Sequence, residues 1–435
     1  MRDGLMGVIP QKNCKANFRM KKVFKFGGAS VKDAAGVKQV ASILKKHGTD
    51  CVVVVISAMG KTTNALEKVV DAYLGGDEGR YALLEEIKQA HFSVMKELFP
   101  ANDPVFNEIS NQFVEIEWAL EDEPRNDFGY TYDQIVSVGE LLSTRIVSAF
   151  LTQEGVENTW LDARDIIKTD NSYRKAKVDW ALTQEALDAQ VKEGVLYVSQ
   201  GFIGCTSENF TTTLGREGSD YSGAIFASCL GAKQLSIWKD VPGVLNADPR
   251  FFQETTLINE MPFKEAIELA YYGAKVLHPK TIQPLLKNNI TLEVRSFIEP
   301  DNLGTNVSNE RALNVSVPSY IVKQNQTLIS LDSPDLDFIQ EEGLSAIFAC
   351  FAKHGIAINL MQHSAISFSA CFDAAPRKME ALLADFKQQF TVRYNEGLTL
   401  YTVRHYSVNC ESKLSEGKEV LLEQRSRQTL QLLMR

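Results

Sequence analysis

At 435 residues, with 44% hydrophobic and 23% charged side chains, the chain is globular, not disordered, and too long for one ordinary core, so two domains are expected. Its net charge of -9 excludes nucleic acid as the main partner, because a phosphate backbone needs a basic face, while local lysines and arginines can still hold a small anion. The seven cysteines (Cys14, Cys51, Cys205, Cys229, Cys350, Cys371 and Cys410) are scattered without a CxxC pair or clustered histidines, which favours reduced buried thiols over a disulfide framework or a metal site.

Residues 1–19 fit neither a signal peptide nor an anchor, and no apolar run of membrane-spanning length stands out, so a disordered extension before Met20 and a cytoplasmic location without membrane contact are expected. The first strand is expected at Lys22–Phe26, followed by the glycine-rich turn Gly27-Gly28-Ala29-Ser30. Cys51–Ile56 is a continuous β-branched run, the pattern of a strand buried on both faces of a parallel sheet. After Gly139-Glu140 a helix carries Leu142, Ile146, Ala149 and Phe150 on one face. A strand at 195–201 leads to the stretch 211–222, Thr-Thr-Thr-Leu-Gly-Arg-Glu-Gly-Ser-Asp-Tyr-Ser, and then to a helix through Ala224, Ile225, Ala227 and Leu230 that stops at Gly231. Further strands are expected at Gln234–Lys239 and 290–297, completing an α/β sandwich whose ligands sit at the carboxyl ends of its strands.

The polar stretch 306–325 reads as a linker. Beyond it, residues 326–396 give strand, helix (Leu344, Ile347, Phe348, Phe351), two strands, a helix opened by Pro376 (Met379, Leu382, Leu383, Phe386) and a strand at 391–394. That βαββαβ order is ferredoxin-like and suits a small-molecule sensor. Residues 397–435 read as a partial second unit, a strand at 398–407 and a helix-like run at 417–434, with an open edge that invites a second subunit.

The two glycine-rich turns, one with Lys25 and one with Arg216, place unpaired backbone N–H groups near cations, which suggests a phosphate donor and an anionic acceptor. Together with Val138-Gly139-Glu140, Trp238-Lys239-Asp240-Val241-Pro242-Gly243, Asp248-Pro249-Arg250 and the run from Tyr272 to Pro279, they resemble the aspartate kinases of the amino acid kinase family over roughly residues 20 to 410. The resemblance implies a three-layer α/β sandwich around a mainly parallel sheet at 20–305 and a C-terminal ferredoxin-like (ACT) regulatory domain. It implies transfer of phosphate from ATP, with Mg²⁺, to the β-carboxylate of L-aspartate, the first step toward lysine, threonine and methionine.

That carboxylate is ionised at neutral pH and needs no general base, so catalysis rests on positioning and charge neutralisation. Lys25 is the candidate cation for the γ-phosphate, and Arg216 can grip a carboxylate with two parallel hydrogen bonds, helped by the hydroxyls of Thr63 and Ser219 and by Gly218. Glu140 is either a cap favoured by the helix dipole or, by the resemblance, the partner of the substrate's amino group. Asp220 likewise is a cap or, by the resemblance, the organiser of the active-site lysines and arginine, with the metal a further candidate partner. The resemblance puts ATP near Lys25, Phe26, Gly27, Gly28, Ser57, Lys239, Asp240, Leu245, Arg250, Lys275 and Val276, with Mg²⁺ held by ATP oxygens and water and no protein metal cage. His278 beside Pro279 reads as structural.

Three departures stand out: Glu217 where the family commonly has glycine, Leu245 where many members have tyrosine, and Asn359 and Ala365 where lysine-sensitive members often carry acids. With Asn359, His363 and Ser364 as regulatory candidates, an amino-acid effector is expected, but an ammonium group finds fewer charged partners there. A homodimer through the C-terminal region is expected, and no length remains for a fused homoserine dehydrogenase. A sister kinase acting on glutamate, N-acetylglutamate, carbamate or a nucleotide shares the two turns, and a catalytically weak amino-acid sensor is the reading from another class. A nicotinamide-dependent dehydrogenase fits worst, since no GxGxxG turn follows a strand.

Overall fold

The computed structural model describes residues 21–48, 50–123, 127–274, 276–309, 317–407 and 410–435. The expected extension at 1–19 lies outside them. Ten strands belong to the first unit: β1 (Lys22–Phe26), β2 (Cys51–Ile56), β3 (Thr159–Leu161), β4 (Tyr197–Gln200), β5 (Ile203–Cys205), β6 (Thr211–Thr213), β7 (Gln234–Lys239), β8 (Glu260–Pro262), β9 (Thr291–Ser296) and β10 (Thr305–Ser308). Eight form one sheet in the order β3-β4-β2-β1-β7-β9-β10-β8, while β5 and β6 make a separate hairpin. All its neighbouring pairs are parallel except β9 with β10.

The apolar runs are explained by burial on both faces of this sheet. Along β1 and β2, Val23, Val53 and Val55 enter one core, while Phe24, Phe26, Val54 and Ile56 enter the other, and Lys25 is the one charged residue between the apolar positions. Register aligns Phe26 with Ile56 and Trp238, and Ile56 with Gln200, so β1, β2, β4 and β7 all end on one edge. Ligand chemistry in an open parallel sheet gathers at that edge. The run Phe128–Gln153 is long and apolar enough by composition to cross a membrane, contrary to the sequence reading. Its most apolar stretch is 78% buried within the protein, so it serves as a core element.

The linker boundaries differ from expectation. Residues 306–308, read as the start of the linker, belong to a strand of the large sheet, Thr305–Ser308, whose first residue, Thr305, is fully buried, accepts from Val244 N and donates to Ile258 O. Residues 310–316 lie outside the described ones.

The second sheet, β12-β13-β11-β14-β16-β15, is antiparallel and comprises β11 (Ser319–Asp332), β12 (Ile358–His363), β13 (Ser367–Asp373), β14 (Thr391–Arg404), β15 (Val420–Arg425) and β16 (Thr429–Met434). The helices Glu341–Lys353 and Pro376–Phe386 pack on one face through Ile347, Phe351, Leu382 and Phe386, giving the expected βαββαβ order. The helix-like reading of 417–434 is wrong: this segment is a hairpin whose second strand joins β14. Every residue of β16 is buried, Leu430, Leu432 and Met434 on one side and Leu433 on the other, and a run apolar on both faces has no period that separates strand from helix. The supposed partial unit therefore extends the βαββαβ unit's own sheet, leaving β12 and β15 as its edges.

Leu432→Ala removes a side chain with no solvent exposure from this joint. The expected cost is about 2–5 kcal/mol, read as a lower urea midpoint, whereas an exposed helical position would shift it hardly at all.

Candidate active site

Lys25 is the last but one residue of β1, and it is 6% exposed. Its stem passes Gly223 of the helix Gly218–Cys229, where a Cβ would stand 3.5 Å from Lys25 Cβ. The ammonium group thereby reaches Asp220 in the first turn of that helix, with Nζ 2.6 Å from Oδ1. Lys239, closing β7, approaches the other oxygen at 3.0 Å and also donates to Val276 O at 2.7 Å. Burial would raise the Asp220 pKa, but the two lysines outweigh it and hold the carboxyl well below the usual range. The reverse holds for Lys239, whose burial favours the neutral amine but whose pKa is raised by Asp220.

Glycines allow these strand ends to crowd together. A Cβ on Gly28 would lie 2.6 Å from Ala58 O, and one on Gly201 would lie 1.9 Å from Ser219 Oγ. Ser57 and Ser219 share a hydrogen bond of 2.7 Å, and Ser143 donates to Ser57 O. Gly139 brings the start of the helix Val138–Gln153 against Ala58 and Thr62, beside Thr63 at the head of the helix Thr62–Leu74. Next to it Glu140 is 3% exposed, and its Oε2 has no hydrogen-bond partner. Burial pushes its pKa up to about 8, although the Ala58 backbone and Lys25 pull the other way. A cap favoured by the helix dipole alone would not need a buried carboxyl with one oxygen left unpartnered.

The other candidates are distributed unevenly. Gly218 is buried at the helix start, where a Cβ would meet Phe202 at 2.8 Å. Arg216 is exposed on the loop before it. Glu217 takes φ 57°, the left-handed conformation that accounts for the family's glycine, and its charge lies near enough to help raise the Lys239 pKa. Phe26 is fully buried and stacks on Trp238 at 5.9 Å, so only its backbone faces the site. Gly27 lies near Lys25 Nζ, Asp240 is exposed and Leu245 half-buried. Arg250 is exposed and grips Asp248 through Nε at 3.0 and 3.1 Å. Lys275 lies outside the described residues. His278 caps the helix Pro279–Lys287 by accepting from Lys280 N, a structural task.

The regulatory candidates lie on the second sheet. Asn359 Nδ2 donates to Gln326 Oε1 and Asp373 Oδ1, His363 Nε2 meets Ile339 O, and the Ser364 and Ser367 hydroxyls pair. Sequence reasoning missed Asp133, which has no exposed surface and accepts from Thr213 N, Thr213 Oγ1 and Arg174 N. With Gln134, which bonds Thr211 through both N and O, it pins the hairpin that launches the Arg216 loop. The signal was an acid inside an otherwise apolar helix, Phe128–Val136. Among the described residues no disulfide joins the cysteines, and one group, Cys350, His354 and Asp385, has ligand atoms close enough to share a metal.

The cluster of two ammonium groups on one carboxylate, at the carboxyl ends of parallel strands, can receive a polyanion and shield its charge as a group moves. Comparison with known proteins agrees. The amino acid kinase family matches residues 20–296. The chain is 32% identical over 390 residues to the lysine-sensitive aspartokinase 3 of Escherichia coli (strain K12), covering 87% of this chain and 85% of that one. It is 27% identical to the bifunctional aspartokinase/homoserine dehydrogenase 2, chloroplastic, of Arabidopsis thaliana, covering 86% of this chain but only 42% of that protein. Its structure superposes on E. coli aspartokinase III in complex with aspartate and ADP (R-state) with a TM-score of 0.82 and 29% identity, covering 95% and 96% of the two chains.

Because the Glu140 pKa is raised in the fold from 4.5 to about 8, its contribution to stability is full below pH 4.5 and is lost as pH rises through about 8. Urea midpoints of wild type and Glu140→Gln, compared from pH 5 to 9, are expected to converge at low pH, with the wild type falling relative to the variant as pH rises.

Proposed function

The chain belongs to the amino acid kinase family and, within it, to the aspartokinases, and on that premise we propose that it transfers the γ-phosphoryl group of ATP to the β-carboxylate of L-aspartate, giving 4-phospho-L-aspartate and ADP. The observation that carries the reading is the Lys25–Asp220–Lys239 cluster beside the buried Glu140. Lys25 meets the charge on the moving phosphoryl group, Lys239 the neighbouring phosphate oxygens, and Asp220 holds both ammonium groups in place. The substrate's ammonium group binds Glu140, and its α-carboxylate binds Arg216 with Thr63, Gly218 and Ser219 close by. The attacking carboxylate is already ionised, so no side chain removes a proton from it.

Both Asp220 oxygens are engaged by lysines, which leaves Mg²⁺ to ATP oxygens and water; when bound, the ion neutralises phosphate charge. ATP contacts fall to Phe26, Gly27, Gly28, Ser57, Asp240, Leu245 and Val276, with Lys275 and Arg250 completing the phosphate site once Arg250 leaves Asp248. We read the kinase domain as running through β10 and the second sheet as its ACT-type sensor. The amide of Asn359 offers an effector's ammonium group less than an acid does, so we expect lysine to bind weakly. The exposed edges β12 and β15 are our choice of homodimer contact, and the cytoplasm our choice of compartment.

Mg²⁺-dependent ADP release from ATP is expected with L-aspartate and not with glutamate, N-acetylglutamate or UMP. Lys25→Ala is expected to lower kcat by about 10²–10³-fold. Release with one of the other acceptors, or with none, overturns the assignment.

A further inference from the structure

The helix Phe263–Tyr272 belongs to the kinase unit, yet both of its ends are held by the second sheet. Near its start, Glu265 receives Arg404 Nε at 3.1 Å and NH2 at 2.6 Å, with His405 Nε2 at 3.1 Å, and both members of the main pair are buried. At its far end Gly273 caps the helix with φ 111°. A Cβ built there would stand 2.5 Å from Lys323 Cε, 3.4 Å from Cγ and 3.5 Å from Cδ, so the lysine stem lies flat across the glycine.

The spacing of the two grips matches the helix. On the sheet, Arg404 of β14 faces Ser319 of β11, and Lys323 stands four residues further along β11, about 13 Å away at the rise of a strand. On the helix, Glu265 and Gly273 are eight residues apart, about 12 Å at 1.5 Å per residue. The Lys323 head is fixed in turn: Nζ donates to Asn359 Oδ1 at 2.8 Å, and Asn359 is bonded to Gln326 and Asp373 at 2.8 and 3.0 Å. Three residues beyond Gly273, Val276 O receives the Lys239 ammonium that also holds Asp220.

We propose that Lys323 is a positioning residue for nucleotide binding: anchored on Asn359, it presses on Gly273 and so sets the place of Val276 and of the Lys239 ammonium group. The inference rests on the nucleotide role given above to Val276 and Lys239. It assigns Asn359 a task independent of any effector, that of holding the lysine head. Removing the ammonium group frees the stem to leave Gly273, and the cost falls on ATP, because the aspartate contacts at Glu140 and Arg216 come from other elements.

The test uses the full chain. Lys323→Met keeps the stem and removes the charge, Lys323→Arg keeps both, and Asn359→Ala leaves the lysine intact but takes away its anchor. With Lys323→Met and Asn359→Ala, the KM for ATP is expected to rise about tenfold while kcat and the KM for aspartate change less than twofold; Lys323→Arg restores most of the loss. Calorimetric titration with ADP gives the same ranking without turnover, so an enzyme inactive on aspartate would defeat the proposed function and leave this inference testable. Unchanged ADP affinity in both Lys323→Met and Asn359→Ala, or an equal rise in both KM values, overturns it. Should Lys323→Met fail to fold, Asn359→Ala decides alone.

Discussion

One carboxylate between two ammonium groups sets the terms for the rest of the kinase unit. Asp220 is almost closed to water and carries a single charge, whereas Lys25 and Lys239 bring two. The surplus cation is tolerable only at an edge where an anion can arrive, since an uncompensated charge deep in the core costs several kcal/mol. The strand ends of a parallel sheet supply such an edge, and the register that aligns Phe26, Ile56, Gln200 and Trp238 brings the cluster to it. Beneath it, Phe24, Phe26 and Trp238 form a packed aromatic layer that fixes the ends of β1 and β7. The geometry of the charged groups thus follows from an apolar arrangement below.

What the sequence could express was local. β1, β2 and β7 were legible to the residue because their apolar runs are buried on both faces, and the second unit's two helices because each has a single apolar face. Lys25, Glu140 and Asp220 were legible as charged residues beside glycines at element ends. β16 was misread for the reason that made β2 easy: with apolar residues on both faces, only the partner strand decides what the segment becomes. Residues 306–308 were lost to a supposed linker because their pairing partners, Glu260–Pro262 and Leu292 with Glu293, lie far along the chain. Asp133 was passed over because its partners lie 41 and 80 positions along the chain. Arg250 was read as a phosphate contact, and nothing in that reading said that Asp248 takes its guanidinium in this structure.

The two units meet through polar groups buried in pairs. Arg404 with Glu265 is the clearest case, and Tyr320 N bonding Asn246 O continues the backbone of one unit into the other. Such a joint is weaker as a source of stability than an apolar one of the same area, but it is directional, and it loses heavily if either partner shifts. A joint of that kind transmits displacement because it tolerates little of it. Glu217 shows the opposite tendency. Its left-handed backbone stores strain of about 1–2 kcal/mol in the loop that carries Arg216, at the rim where movement is least resisted.

Glu140 carries a final consequence. With its pKa pushed up to about 8 by burial, the carboxyl is mainly protonated at pH 7. On the role proposed for Glu140, capture of an ammonium ion there requires the carboxylate form, so most binding events discharge a proton to the bulk. Uptake of the amino acid is then linked to hydrogen-ion activity, and its measured heat includes the ionisation enthalpy of whichever buffer accepts the proton. The enzyme's grip on its substrate would strengthen as its surroundings turn alkaline, a dependence set by one side chain that water cannot reach.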